Sequence, residues 1–457
     1  MKGIMRRVAT ALIACACALV LATPASAAEK QISVKSGGPG PAEFDRIDVH
    51  TFGPKKPDQV LVLMPGTQGG AGDFTLIARE LVERRKGLAV WALDRRSQVL
   101  EDTAVFERAN RGETSLQAMF DHYLGWLTNG GTPADHFEFL DVSTVPFAAD
   151  WGMETALEDA RAVVKKAAKG GRSVLLGGHS LGASLAAAYA AWDFGGDPGY
   201  RDLDGIVLID GGLLGSFDAF DLDQAQEQVA TLGERPFLDL LGIGIPEAAG
   251  LFAEVGGLYA KLDPTGDAAT IQNFAFLPDE FKPPVPATNR ALFGYAFDRD
   301  TSPQSLGLLH VNAGELAPSG EPRDWVDGGI TPVANLAETF GQEPANATEW
   351  YFPRKLTIDT NGANDMKRND VARFLGLRLK HTKKIDVPIY AFQTDLTDGD
   401  VLRGAKKLVK RAKTMKKDSA IVDGAPEQSH LDPLTAAAGD NEFLDTVEEF
   451  IAAHAPK

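Results

Sequence analysis

The chain has 457 residues and a formal charge of −17, from 46 Lys and Arg against 63 Asp and Glu. Such a surface repels nucleic acid and anionic lipid taken as a whole, which argues against partners held by general electrostatics. Hydrophobic residues make up 44% of the chain, enough to build one large core or two.

In chain order the first predicted element is an export signal. Lys2, Arg6 and Arg7 precede the apolar stretch VATALIACACALVLA, which is too short for a comfortable membrane span, and ASA at 25–27 offers small residues for cleavage. Cleavage is expected after Ala27, with Ala28 the next choice, and the product is expected to be secreted. LIAC at 12–15 has the form of a lipoprotein acylation site, but the apolar run continues past Cys15, which suits that reading poorly. Both cysteines, Cys15 and Cys17, fall inside the signal, so the remaining chain has no thiol and relies on its core. No later apolar run is long enough to span a bilayer.

QISVK (31–35) and FDRIDVHTF (44–52) alternate like an antiparallel edge pair. VLVLMPG (60–66), LAVWALD (88–94), SVLLGGH (173–179) and GIVLIDG (205–211) are continuously apolar, as buried parallel strands are. The helical stretches 74–85, 153–169 and 181–193 lie between them, so the expected fold is α/β: a doubly wound, mostly parallel sheet with helices on both faces. After Gly212 the rhythm stops for about 170 residues rich in Gly, Pro and Phe. It resumes at VPIYAFQTD (387–395), a basic helix, SAIVDGA (419–425) and a closing helix at 441–455. The expected division is a signal at 1–27, a core at 28–212 and 386–457, and an insertion at 213–385. Residues 367–417 carry fifteen Lys or Arg against five Asp. RGAKKLVKRAKTMKK (403–417) keeps Leu408, Val409, Ala412 and Met415 at helical spacing, which reads as a surface helix with a solvated basic face. A contact site for an anionic surface is the alternative.

The chemistry centres on Gly178-His179-Ser180-Leu181-Gly182. Ser180 ends a predicted buried strand and opens a predicted helix. A turn that sharp tolerates no bulky side chain two residues either side, and the helix N-terminus presents free N–H groups toward the serine. In these residues the chain resembles the α/β-hydrolase superfamily, and GHSLG is similar to the nucleophile elbow of its esterases and lipases. The resemblance implies an eight-stranded α/β-hydrolase sheet, and for the insertion a cap or lid over the site.

It also implies a triad in the order serine, acid, histidine. Among His310, His381, His430 and His454, only His430 follows the last predicted strand directly, where the family places its base. The acid is expected about nine to eleven residues past the proline opening the preceding strand. From Pro388 that window reaches Asp398, with Asp395 the reserve and Asp359 a distant third. The three carboxylates at 395–400 match no standard calcium loop. The oxyanion N–H groups are expected from Leu181 and from Thr67, with Gln68 the alternative, although Pro65-Gly66 stands where many members have His-Gly. In ALDRRSQVLED (92–102), pairing of Asp94 with Arg95 or Arg96 is expected at least as much as substrate contact. The insertion's aromatics, from Phe217, Phe220 and Phe237 through Phe252, Tyr259, Phe274, Phe276, Phe281, Phe293, Tyr295 and Phe297, are expected mostly in its own core, some lining an apolar pocket. Asn346-Ala347-Thr348 is formally a glycosylation sequon.

The resulting expectation is a secreted serine hydrolase of carboxylic esters, acting on a small or lipid-like substrate through an acyl-enzyme and needing no cofactor or metal. A peptidase, amidase or acyltransferase on the same triad is the alternative, and a non-catalytic binding protein on the same scaffold is a third. Epoxide hydrolases and dehalogenases need Asp where Ser180 stands.

Overall fold

The computed structural model describes residues 28–128, 136–215, 220–414 and 418–456. The expected signal at 1–27, Phe217 and Met415 lie outside them. Eight strands form one sheet: β1 Lys30–Lys35, β2 Arg46–Phe52, β3 Gln59–Met64, β4 Leu88–Leu93, β5 Ser173–His179, β6 Gly205–Ile209, β7 Ile389–Gln393 and β8 Ser419–Asp423. Their spatial order is β1-β2-β4-β3-β5-β6-β7-β8. The β1–β2 and β2–β4 pairs are antiparallel and every later pair is parallel.

All six residues of β3, of β4 and the five of β6 are buried, which is why these segments carry no polar alternation. One face of the sheet is covered by α1 Thr75–Arg84 and the C-terminal helix 442–453. The other is covered by α2 Met153–Ala167 and α3 Leu181–Ala191. Every residue of α3 is buried, and its alanines allow close packing on the sheet while leaving no amphipathic signature. The basic helix is α5, Asp400–Arg411, which buries Val401, Ala405, Leu408 and Val409 and exposes Lys406, Lys407 and Lys410. It begins three residues before the predicted stretch.

Packing does not divide the chain at 213 and 385. Phe352, Leu356, Ala363 and Met366 belong to the core cluster that holds Leu176 and Ile206, so the end of the expected insertion is part of the helical layer against the sheet. Conversely Phe106, Met119, Tyr123 and Phe137, placed in the core by sequence, pack with Leu251, Val255 and Phe274 in a second cluster. That second layer is built from two separate stretches joined by α4 (Ala248–Leu262) and by Trp350, whose ring meets Phe106, Tyr123 and Phe137 at 5.6–6.1 Å. Loop-like composition hid the first stretch: its helices, 104–110 and 116–123, are short. Among the described residues no helix is long and apolar enough to cross a membrane.

Candidate active site

Ser180 sits between β5 and α3 with φ 54° and ψ −122°, a conformation disfavoured for a residue with a side chain. Its N–H donates to Ile209 O at 2.8 Å, tying the turn to β6. A β-carbon at Gly182 would come within 2.0 Å of Met64 O, and one at Gly178 within 2.4 Å of Gly182 itself. The two glycines are therefore required by the close approach of β3 and α3 around the turn. Ser180 and His430 line one cavity of about 330 Å³.

His430 is buried on the loop after β8, and its Nδ1 lies 2.5 Å from Asp210 Oδ2. Asp210, not Asp398, is the carboxylate beside the imidazole. Asp210 directly follows β6, the neighbour of the serine's strand, in a left-handed conformation with φ 42°. Burial opposes its charge, but the hydrogen bonds and charge of His430, with the hydroxyl and N–H of Thr394, outweigh burial and hold its carboxyl below the usual range. Thr394 is the residue after β7, so the strand expected to supply the acid instead supports it. Asp398 is exposed, in a left-handed turn. Asp395 accepts from Ser429 Oγ at 3.0 Å and pairs with Arg299 at 3.6 Å, steadying the residue before His430. Asp359 is bound to Lys355 and to Met153 N–H. The sequence signal for Asp210 is an aspartate directly after the apolar strand GIVLI and followed by two glycines.

The remaining histidines are accounted for elsewhere: His310 Nε2 meets Pro303 O at 3.1 Å, His381 pairs with Asp193 at 3.4 Å, and the His454 ring packs on Phe450 at 4.7 Å. His179 does not sit idle beside the serine. Its Nε2 donates to His430 O at 2.8 Å, and burial, with His430 close by, pushes its pKa down to about 3, so it is neutral. Asp432 holds the same loop from the other side, accepting from Ser429 N at 2.6 Å and Thr331 Oγ1 at 2.6 Å.

The N–H groups of Thr67, Gln68 and Leu181 donate to no partner among the described residues. Gly66, Thr67 and Gln68 line the cavity, and Gln68 has φ 54°. What orients this loop is Arg95. Its guanidinium donates to the carbonyls of Pro65, of Gly66 at 2.9 Å and of Gly69 at 3.3 Å, and pairs with Glu349 at 2.5 Å. Turning those carbonyls toward Arg95 leaves the intervening N–H groups free. The segment 346–349 lies along the same loop, through Gly70 N to Ala347 O, Gly72 N to Asn346 O and Glu349 N to Gln68 O. Asp94 pairs with neither arginine. It accepts from Ala71 N at 2.7 Å, and Arg96 pairs with Asp159. Asn346 is buried, with its amide spent on Asp94 and His50, so the sequon is closed to a glycan in the folded chain.

Most of the remaining cavity wall is apolar. Phe252, Phe281, Phe293 and Phe297 line it with Leu240 and Leu431, whereas Phe237, Tyr259 and Phe274 are core and Phe276 is exposed. No group of three or more metal-ligating side chains occurs among the described residues.

Residues 61–353 match the model of the alpha/beta hydrolase family. No curated protein matches the chain. Among solved structures, a Sulfolobus solfataricus protein provisionally assigned as a lipase is 14% identical, with TM-score 0.51 over 93% of this chain and 94% of that one. An epoxide hydrolase from Vigna radiata is 13% identical, with TM-score 0.43 over 94% and 99%. A monoacylglycerol lipase from Paleococcus ferrophilus is 11% identical, with TM-score 0.39 over 93% and 99%. At these identities the likeness is one of fold.

Proposed function

From the alpha/beta hydrolase family, to which the chain belongs, we propose that it is an exported serine hydrolase that cleaves carboxylic esters of apolar acyl chains. The observation that carries this is the contact of Asp210 with His430 at 2.5 Å, the histidine lining the same cavity as the strained Ser180. In this reading His430 takes the Ser180 proton as Oγ attacks the ester carbonyl. Asp210 fixes the Nδ1–H tautomer and stabilises the imidazolium. The Thr67 and Leu181 N–H groups receive the oxyanion. His430 then returns the proton to the departing alcohol, and a water, deprotonated by the same histidine, releases the acid and restores Ser180.

The apolar wall supports a hydrocarbon acyl chain, because burying each methylene contributes roughly 0.8 kcal/mol. The test is a series of p-nitrophenyl esters from acetate to dodecanoate, with Ser180→Ala as the blank and fluorophosphonate labelling of the parent. Labelling at Ser180 and rising kcat/KM with chain length are expected. Faster turnover of aminoacyl anilides than of any ester would overturn the ester assignment.

A further inference from the structure

Resting on the reading of Ser180 as an ester-cleaving nucleophile, we propose that Asp73 is a second polar anchor in the cavity, binding a hydroxyl that the substrate carries a few bonds from its scissile carbonyl. The apolar wall is interrupted at one patch, where Gln68, Gly69, Asp73 and Thr348 adjoin. Gly69 is bridged to Thr348, and Asp73 Oδ2 lies so closely over Gly69 that a β-carbon there would be 2.2 Å from it. The patch therefore begins one residue after Thr67. The Thr348 hydroxyl is committed to Glu254 at 2.7 Å.

Asp73 has no such commitment. It is 7% exposed, it lines the cavity with Ser180 and His430, and its carboxyl has no hydrogen-bond partner among the described residues. Arg95 lies close enough to act on its charge, but directs Nη1 and Nη2 to Glu349 and the loop carbonyls. The chain entering the position is fixed: Ala71 N donates to Asp94, Gly72 N to Asn346 O and Asp73 N to Gly70 O.

An unpartnered carboxyl beside an apolar cavity costs free energy that a site for a plain alkyl chain has no cause to carry. Burial, opposed by Arg95, pushes the carboxyl well above the usual range, which favours its neutral form. A neutral acid offers one O–H donor and one carbonyl acceptor, which complement a hydroxyl and not an ammonium. The hydroxyl can come from a hydroxyacyl chain or from a polyol alcohol.

Two ester pairs separate these sources: p-nitrophenyl hexanoate against its hydroxyhexanoates, and propyl hexanoate against glycerol monohexanoate. The parent is expected to favour the hydroxylated member of one pair by roughly tenfold in kcat/KM. Asp73→Leu should bring that ratio to about one, and Asp73→Asn, which keeps a donor and an acceptor, should retain part of it. Equal rates within both pairs, a preference that survives in Asp73→Leu, or a stronger preference for an aminohexanoate ester would each overturn the assignment. Affinities of the same esters for Ser180→Ala, where nothing turns over, give the comparison independently. Loss of fluorophosphonate labelling would fault the nucleophile reading, whereas equal affinities within each pair would fault only Asp73.

Discussion

The decisive residue is Asp210, because one imidazole nitrogen can face only one carboxylate. His430 Nδ1 is taken by Asp210 at 2.5 Å, so the roles of Asp210 and Asp398 separate by substitution. Asp210→Asn is expected to lower kcat by about 10³–10⁴-fold by allowing the wrong tautomer. Asp398→Asn, at an exposed turn, should leave it within about twofold of the parent. Steady-state kinetics on one p-nitrophenyl ester checks both, and comparable losses at the two positions would refute the assignment. His179 shows how little residue type alone decides. A histidine adjacent to the serine invites a catalytic role, yet its neutral ring spends Nε2 on the backbone of the histidine loop.

At the level of elements, the loop after β3 is held by two parts distant in sequence, Arg95 two residues after β4 and the stretch 346–349. Arg95 lies buried against Glu349, so removing its charge would strand a buried carboxylate at a cost of about 3–5 kcal/mol. Arg95→Lys is the sharper experiment. Lysine keeps the ion pair but lacks the planar fork that reaches several carbonyls together. Expected is a fall in kcat on the order of 10–100-fold, with KM within about threefold and the fold intact by circular dichroism. A KM effect without a kcat effect would show that Arg95 serves binding and not the oxyanion loop. The N-terminal half of this arrangement is legible in MPGTQGGAGDF, because glycine-rich chain after a buried strand is what such a loop needs. Its clamp is not, since nothing local to Arg95 or Glu349 announces a partner some 250 residues away.

In the whole molecule the second layer reaches the segment beside the candidate site through buried carboxyls. Glu254 on α4 accepts from Thr348 Oγ1 at 2.7 Å and Trp350 Nε1 at 3.2 Å, and burial raises its pKa to about 8. Glu101, which accepts from Trp350 N, is raised by burial and then by Glu254. Between pH 4.5 and 8 the folded chain keeps a proton on Glu254 that the unfolded chain has released. Unfolding free energy therefore falls as pH rises through that window, and this contribution is lost above about pH 8. Glu254→Gln cannot titrate, so its melting temperature relative to the parent should climb from pH 5 to pH 8.5. A constant difference across that range would show that Glu254 is ionised throughout.

By itself the sequence determined the sheet, the tight glycine-flanked turn at Ser180 and the place of His430 on the loop after the last strand. Continuous apolar runs, the glycines around Ser180 and a loop after the last strand are local patterns, and each follows from the chemistry of a few adjacent residues. Only the tertiary structure decided which carboxylate meets His430, what clamps the loop after β3 and how far the second layer extends. These depend on which strand ends lie side by side and on which distant polar groups must satisfy one another once buried. That requirement exists only in the packed chain.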